Sequence, residues 1–183
     1  MSMMMPGYLT IAADKLGEGT SVKVTAIGDM QDVALHFAAA LFDEICSKPN
    51  VTLILPVGPV DQFPILAKMI NEAKLDCRNV MIINMDEYLT DEDQWVAYDH
   101  PLSFRGFMDR KFYDLVDPDL APLKENRICP DPRKLGQIEE AIQQRGGLDA
   151  CYGGIGINGH IAFNEPPEPD EEVGNDDYAA RPT

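Results

Sequence analysis

The chain has 183 residues, of which 45% are apolar, and a formal net charge of −16 from 31 acidic against 15 basic side chains. That length suits one domain with a full hydrophobic core, and that charge argues against non-specific binding to nucleic acid or to an anionic membrane. No apolar run reaches the length of a membrane span, and the opening "MSMMMPGYLT" has no basic region ahead of an apolar one, so no signal peptide is expected.

The predicted elements alternate. "SVKVTAI" (21–27) reads as a β-branched strand, closed by a turn at Gly28-Asp29. Met30, Val33, Ala34, Phe37, Ala38, Leu41, Phe42 and Ile45 then recur at helical spacing, and that helix ends near Lys48-Pro49-Asn50. "VTLILPV" (51–57) is a continuous apolar strand, the pattern of a strand covered on both faces. A helix over 62–74 carries Phe63, Leu66, Met69 and Ile70 on one side, and "NVMIINM" (79–85) is the next buried strand. Residues 86–100 form an acidic loop. A helix over about 101–115 turns Phe104, Phe107, Met108, Phe112 and Leu115 inward. A Pro-rich passage fills 117–133, a helix over roughly 134–146 closes at Gly146-Gly147, and "LDACYGGIG" (148–156) is the last clear strand.

This order predicts an α/β fold: a mostly parallel, doubly wound, Rossmann-like sheet with helices on both faces. One domain is expected over 1–183, with 167–183 an acidic, Pro-rich loop; because no further strand closes the sheet, the expectation is a fold incomplete at its C-terminus, with a small fold or an edge covered by another chain as the alternatives. The cysteines, Cys46, Cys77, Cys129 and Cys151, form no CxxC pair and resemble no zinc site. A reducing cytoplasm suits them, with Cys46 and Cys151 expected as small core residues.

Ligands of such sheets bind beyond the carboxyl ends of the strands, where "PVGPVD" (56–61), "NMDEY" (84–88) and "GINGH" (156–160) arrive. Asp86 ends a buried strand, which suits a general base opening onto a cleft or, on the other reading, a cap for the next segment. Glu87 beside it binds substrate, faces solvent or supports the loop. His160 follows Gly153, Gly154, Gly156 and Gly159, which let a backbone approach a ligand closely, and a histidine there is placed for proton transfer or, on the other reading, bonded structurally to the backbone. Glu165 is placed to hold the ring and stabilise its cationic form. His36 and His100 are given structural roles.

"NMDEYL", "HPLSFRGFM" and "GGIGINGHIAFNEP" together resemble the glucosamine-6-phosphate deaminase/isomerase family, over about residues 20–166. The related 6-phosphogluconolactonases share the fold and the Gly-rich His turn, whereas "HIAFNEP" is the deaminase version. The resemblance implies a modified doubly wound sheet. It also implies an enzyme that opens an aminosugar phosphate ring, isomerises aldose to ketose and releases ammonia. No metal or organic cofactor is implied. The partner implied is a small sugar phosphate or analogue, with no nucleic acid and no membrane, in a monomer or a homo-oligomer. By motif, Asp86 matches the aspartate that shuttles a proton between C2 and C1, His160 the ring-opening histidine, and Glu165 the glutamate that supports it. Gly58, Val57, Glu87, Gly156 and Gly159 are the expected substrate-binding positions.

The chain departs from the family in three places. The family writes "DGH" where this chain has Asn158-Gly159-His160. An amide keeps the size and the hydrogen bonding but not the charge, so ring opening is expected to be slowed and not abolished. The family's phosphate loop, resembling "TGGTP", is here Val57-Gly58-Pro59-Val60-Asp61. Hydroxyls and an N–H are lost and a negative charge is gained, each of which weakens an anion site. The family also continues with further strands, a lid and a basic residue that meets the phosphate. Two other readings therefore stay open: a catalytically weak sugar-binding regulatory homologue, and a lactone hydrolase.

Overall fold

A computed structural model describes residues 10–58, 61–134, 136–162, 164–167 and 174. The chain divides into two units, Met1–Val33 and Ala34–Thr183. In the first, Ala13–Lys15 make one 3-10 turn. The run 21–27, expected as a strand, is not one. It pairs with no strand among the described residues, and Val22 and Val24 are exposed. β-Branched residues make a segment fit for a sheet, but a strand exists only where a neighbour takes up its N–H and C=O groups. Here the hydroxyl of Thr20 closes a local turn instead, donating to Gly17 O at 2.8 Å and accepting from Val22 N at 3.1 Å.

Helix α1 (Met30–Ser47) starts at Asp29, whose Oδ1 accepts the Asp32 N–H at 2.9 Å. Its buried stripe is Ala34, Ala38, Leu41 and Ile45, while Met30, expected on that face, is exposed. In the second unit β1 (Thr52–Leu55), α2 (Gln62–Ala73) and β2 (Met81–Asn84) follow, close to the expected ranges. α3 (Phe104–Met108) runs into a π-helical turn over Asp109–Tyr113. That wider turn inserts a residue, so Val116 takes the inward place at 2% exposure and Leu115, expected inward, is 45% exposed. β3 (Arg127–Ile128) is a two-residue strand inside the Pro-rich passage, where none was expected. α4 (Gln137–Gln144) ends with Gly147 N donating to Ile142 O at 3.0 Å and Gly146 at φ +84°. β4 (Ala150–Cys151) is only the start of the expected 148–156 strand.

The strands form one parallel sheet in the order β3-β2-β1-β4. Ile54 is its centre, in register with Ile83 on one side and Cys151 on the other. The chain steps from β1 to β2 to β3 in one direction, then returns past β1 to β4. By the right-handed crossover rule of parallel sheets, this order assigns α2 and α3 to one face and α4 to the other. The core joins α1, β1, β2, α2 and α3 through Leu41, Leu53, Phe63, Ile70, Ile82 and Phe112. Each such side chain contributes about 1.5–3 kcal/mol on burial.

All four cysteines are free. Cys77 is buried, which pushes its thiol up to about 12, but Cys46 and Cys151 are exposed, against expectation. Cys46 follows the inward Ile45 and so rotates off the buried stripe. Cys151 lies on an edge strand with no neighbour beyond it among the described residues.

Candidate active site

The strand order reverses between β1 and β4, and in open α/β sheets such a reversal is where ligands bind, beyond the carboxyl ends of the strands. The loops that leave β1, β2 and β4 meet there. A side chain at Gly154 would stand 3.6 Å from Gly58 O, and one at Gly153 would stand 3.5 Å from Met85 Cε. Both are ordinary van der Waals distances, so the loops touch here without glycine being required at either position.

Asp86 follows β2 and is half-buried. Burial raises its carboxyl above the usual aspartate range. The neighbouring Glu87 charge raises it further, and His160 works the other way. A carboxylate that holds a proton more tightly than a free one is a stronger base in the pH range where enzymes work.

His160 is fixed by its own turn. Gly156 N donates to His160 O at 2.8 Å, Gly159 N donates to Gly156 O at 2.9 Å, and Gly159 sits at φ +92°. The imidazole lies over Gly156: a Cβ there would be 2.2 Å from Nε2. Nδ1 is 3.1 Å from Glu165 Oε1. Asn158 completes the group. Its Nδ2 donates to Glu165 Oε2, and its Oδ1 accepts the His160 main-chain N–H at 3.3 Å. The structure thus brings Asn158, His160 and Glu165 into one unit, with Asp86 in electrostatic reach of the ring.

Two expected substrate-binding residues sit otherwise than a ligand-facing side chain would. Val57 is 4% exposed and belongs to the core cluster, so only its backbone is open to a ligand. Glu87 is buried, and its carboxylate accepts from Tyr88 N, Phe104 N, Arg105 N and Arg105 Nε at 2.8–3.1 Å. Gly58 is open, with nothing among the described residues within 4 Å of where a Cβ would stand. The phosphate-loop readings for Pro59 and Val60 lie outside the described residues, as does most of 167–183. His100 accepts the Leu102 N–H at 3.1 Å, a local structural role.

Sequence reasoning passed over Gln62, the first residue of α2. It is fully buried, and among the described residues both polar atoms of its amide lack a partner. Its signal in the sequence was only a polar residue among apolar ones beside the loop after β1. A cavity of about 720 Å³ also went unforeseen. It opens along β3 and α4 among Trp95, Arg105, Arg127, Cys129 and Gln144, and none of Asp86, His160 and Glu165 lines it. Among the described residues no group of three or more His, Cys, Asp or Glu could hold a metal ion. No described helix is long and apolar enough to cross a membrane.

No protein-family model matches the chain. Over 152 residues it is 34% identical to the glucosamine-6-phosphate deaminase of Marinomonas sp. (strain MWYL1), a match that covers 79% of this chain and 55% of that relative. Among solved structures, a monomeric glucosamine-6-phosphate deaminase superposes with a TM-score of 0.66 at 25% identity, covering 79% of this chain and 60% of the other. A 6-phosphogluconolactonase from Thermotoga maritima superposes with a TM-score of 0.52 at 16% identity, covering 75% of this chain and 61% of the other, a likeness of fold alone. The chain spans little more than half the length of the relatives it matches.

Proposed function

We propose, from the premise that this chain is a homologue of the glucosamine-6-phosphate deaminases over its matched stretch, that it isomerises an aminosugar phosphate from aldose to ketose and releases ammonia. The observation that carries this reading is the half-buried Asp86, raised in pKa and set within reach of the His160–Glu165–Asn158 unit.

In this reading His160 opens the pyranose ring by moving a proton from the C1 hydroxyl to the ring oxygen. Glu165 holds the imidazole and steadies its cationic form, and Asn158 holds Glu165. Asp86 then removes the C2 proton and returns it to C1, while one N–H proton of the amine passes to the C1 carbonyl oxygen, which leaves a C1 hydroxyl and an imine at C2. Water adds to that carbon and the nitrogen departs as ammonia, leaving the ketose phosphate. Two acid–base groups of different environment suit these two proton transfers. No step calls for an organic cofactor. The backbones of Gly58, Gly156 and Gly159 would line the sugar, and the substrate would be a small sugar phosphate or analogue.

Sugar binding without turnover is the second reading. It is favoured by Val57, whose buried, hydroxyl-free side chain cannot contribute to a phosphate cradle.

A coupled assay separates the two. The purified protein is given glucosamine 6-phosphate, and ammonia and ketose phosphate are followed together. Equal yields that fall at least about a hundredfold in Asp86→Asn support the enzyme. Binding of the sugar phosphate with neither product supports the second reading. Turnover of a sugar-phosphate lactone without ammonia release would overturn both.

A further inference from the structure

Glu87 accepts hydrogen bonds from Tyr88 N, Phe104 N, Arg105 N and Arg105 Nε. Its carboxylate collects the N–H groups of Phe104 and Arg105, two of the orphan donors that open α3, and the Arg105 guanidinium at 3.1 Å. Ser103, the N-cap, takes the next donor, Gly106 N, at 3.1 Å. Arg105 in turn donates to Val96 O at 2.8 Å, and its guanidinium lies 4.3 Å from the centre of the Trp95 ring. Trp95 Nε1 donates to Pro130 O at 2.6 Å, past the end of β3. The acidic loop between β2 and α3 is thus pinned at both ends by one side chain, and that side chain is the residue after Asp86.

We propose that Glu87 is a positioning residue for Asp86: its buried carboxylate fixes the strand end that presents Asp86 and keeps a negative charge beside it. All its nitrogen partners are donors, the pattern an ionised carboxylate requires. Among the described residues, the charged and titratable groups around Asp86 are Glu87 on its own segment, His160 from the loop after β4, and Cys129 from the end of β3, with Arg105 paired to Glu87. Cys129 Sγ is 4.0 Å from Glu87 Oε2, and burial together with the Glu87 charge pushes its thiol up to about 12, so it adds no charge of its own. Of these groups only Glu87 makes Asp86 more basic by its charge, and His160 opposes it. Burial supplies the rest.

This inference rests on the deaminase reading only for its kinetic consequence, so its test starts from a titration that needs no turnover. The protein is labelled with 13C at the aspartate carboxyls, and the Asp86 signal is identified by its loss in Asp86→Asn. Its midpoint is read in the wild type, in Glu87→Gln and in Arg105→Met. Glu87→Gln is expected to lower the midpoint by about half a pH unit or more, a threefold or greater fall in proton affinity. Arg105→Met leaves the Glu87 charge less neutralised and is expected to raise it. If the chain is a deaminase, the acid limb of kcat/KM moves with the midpoint in each variant, with KM little changed. A merely structural Glu87 would lower folded yield without moving the titration. An unmoved midpoint in whichever variant folds overturns the proposal, as does a wild-type midpoint inside the ordinary aspartate range. Absence of ammonia release with a shifted titration overturns the proposed function and leaves this inference standing.

Discussion

Asn158 gives its side-chain N–H to Glu165 and takes the main-chain N–H of His160, so it works on the histidine through its neighbours and not through charge. A carboxylate at that place would face Glu165 as a like charge, and the amide removes that conflict. Gly156 is the other exacting position. A methyl group there would meet Nε2, Cε1 and Cδ2 of His160 at 2.2–2.6 Å, and the ring is the part free to move. Gly156→Ala is therefore expected to leave Tm within about 1–2 °C and to lower kcat by about a hundredfold, since a shift of about 1 Å in a reacting group costs that much. Activity close to wild type with an unchanged Tm would show that the ring need not lie where it does. This turn was legible because glycines at fixed offsets announce a close approach. The burial of Glu87 was not. Adjacent carboxylates look alike in sequence, and the partners at Phe104 and Arg105 appear only when the chain returns.

At the level of elements, long apolar runs declared themselves and short edge pieces did not. β1, β2 and α2 have strong patterns because both sides of each segment are covered, or because one helical face is. β3 has two residues on the sheet edge, set among prolines, and nothing in its composition separates it from a loop. The run 21–27 shows the reverse error, a strand-like composition without a partner strand. β4 owes its place to Asp149, whose carboxylate accepts from Lys48 Nζ at 2.7 Å and from Thr52 N at 2.8 Å, while Asp149 N donates to Thr52 O at 3.0 Å. One side chain so joins the end of α1, the start of β1 and the start of β4. Asp149→Ala is expected to cost about 1 kcal/mol, a value kept low because the pair is partly open to water, and to lower Tm by several degrees. Hydrogen exchange should speed up first at Tyr152 N, which donates to Ile54 O at 3.0 Å just beyond that tie. Equal protection in the variant would mean that β4 is held by packing alone.

The charge balance of the whole molecule sets its response to pH. Lys48 and the Thr52 N–H hold the Asp149 carboxyl below its ordinary range, Arg133 does so for Asp131, and Arg78 brings Asp76 down to about 2. Each binds its proton more weakly folded than unfolded. The stability they contribute is complete above the unfolded value of about 4, and it drains away as pH falls towards 2. Asp86 runs in the opposite sense. Burial makes the folded form bind its proton more tightly, so ionised Asp86 destabilises the fold at neutral pH, and that cost disappears as pH falls below its unfolded value. The net charge of −16 acts with Asp86, because protonation and salt both relieve self-repulsion. The two trends cross on the acid side of neutrality. Tm is expected to peak at about pH 4.5–6 and to fall steeply below pH 4. At pH 7, Asp86→Asn is expected to raise Tm while removing activity, and the gain should vanish near pH 3. Added sodium chloride should raise Tm at pH 7 more than at pH 5. A Tm that is highest at pH 7 and indifferent to salt would mean that local pairs such as Lys48–Asp149 outweigh the collective repulsion. An Asp86→Asn variant no more stable than the wild type at pH 7 would mean that the folded protein pays nothing for holding that carboxylate in the site.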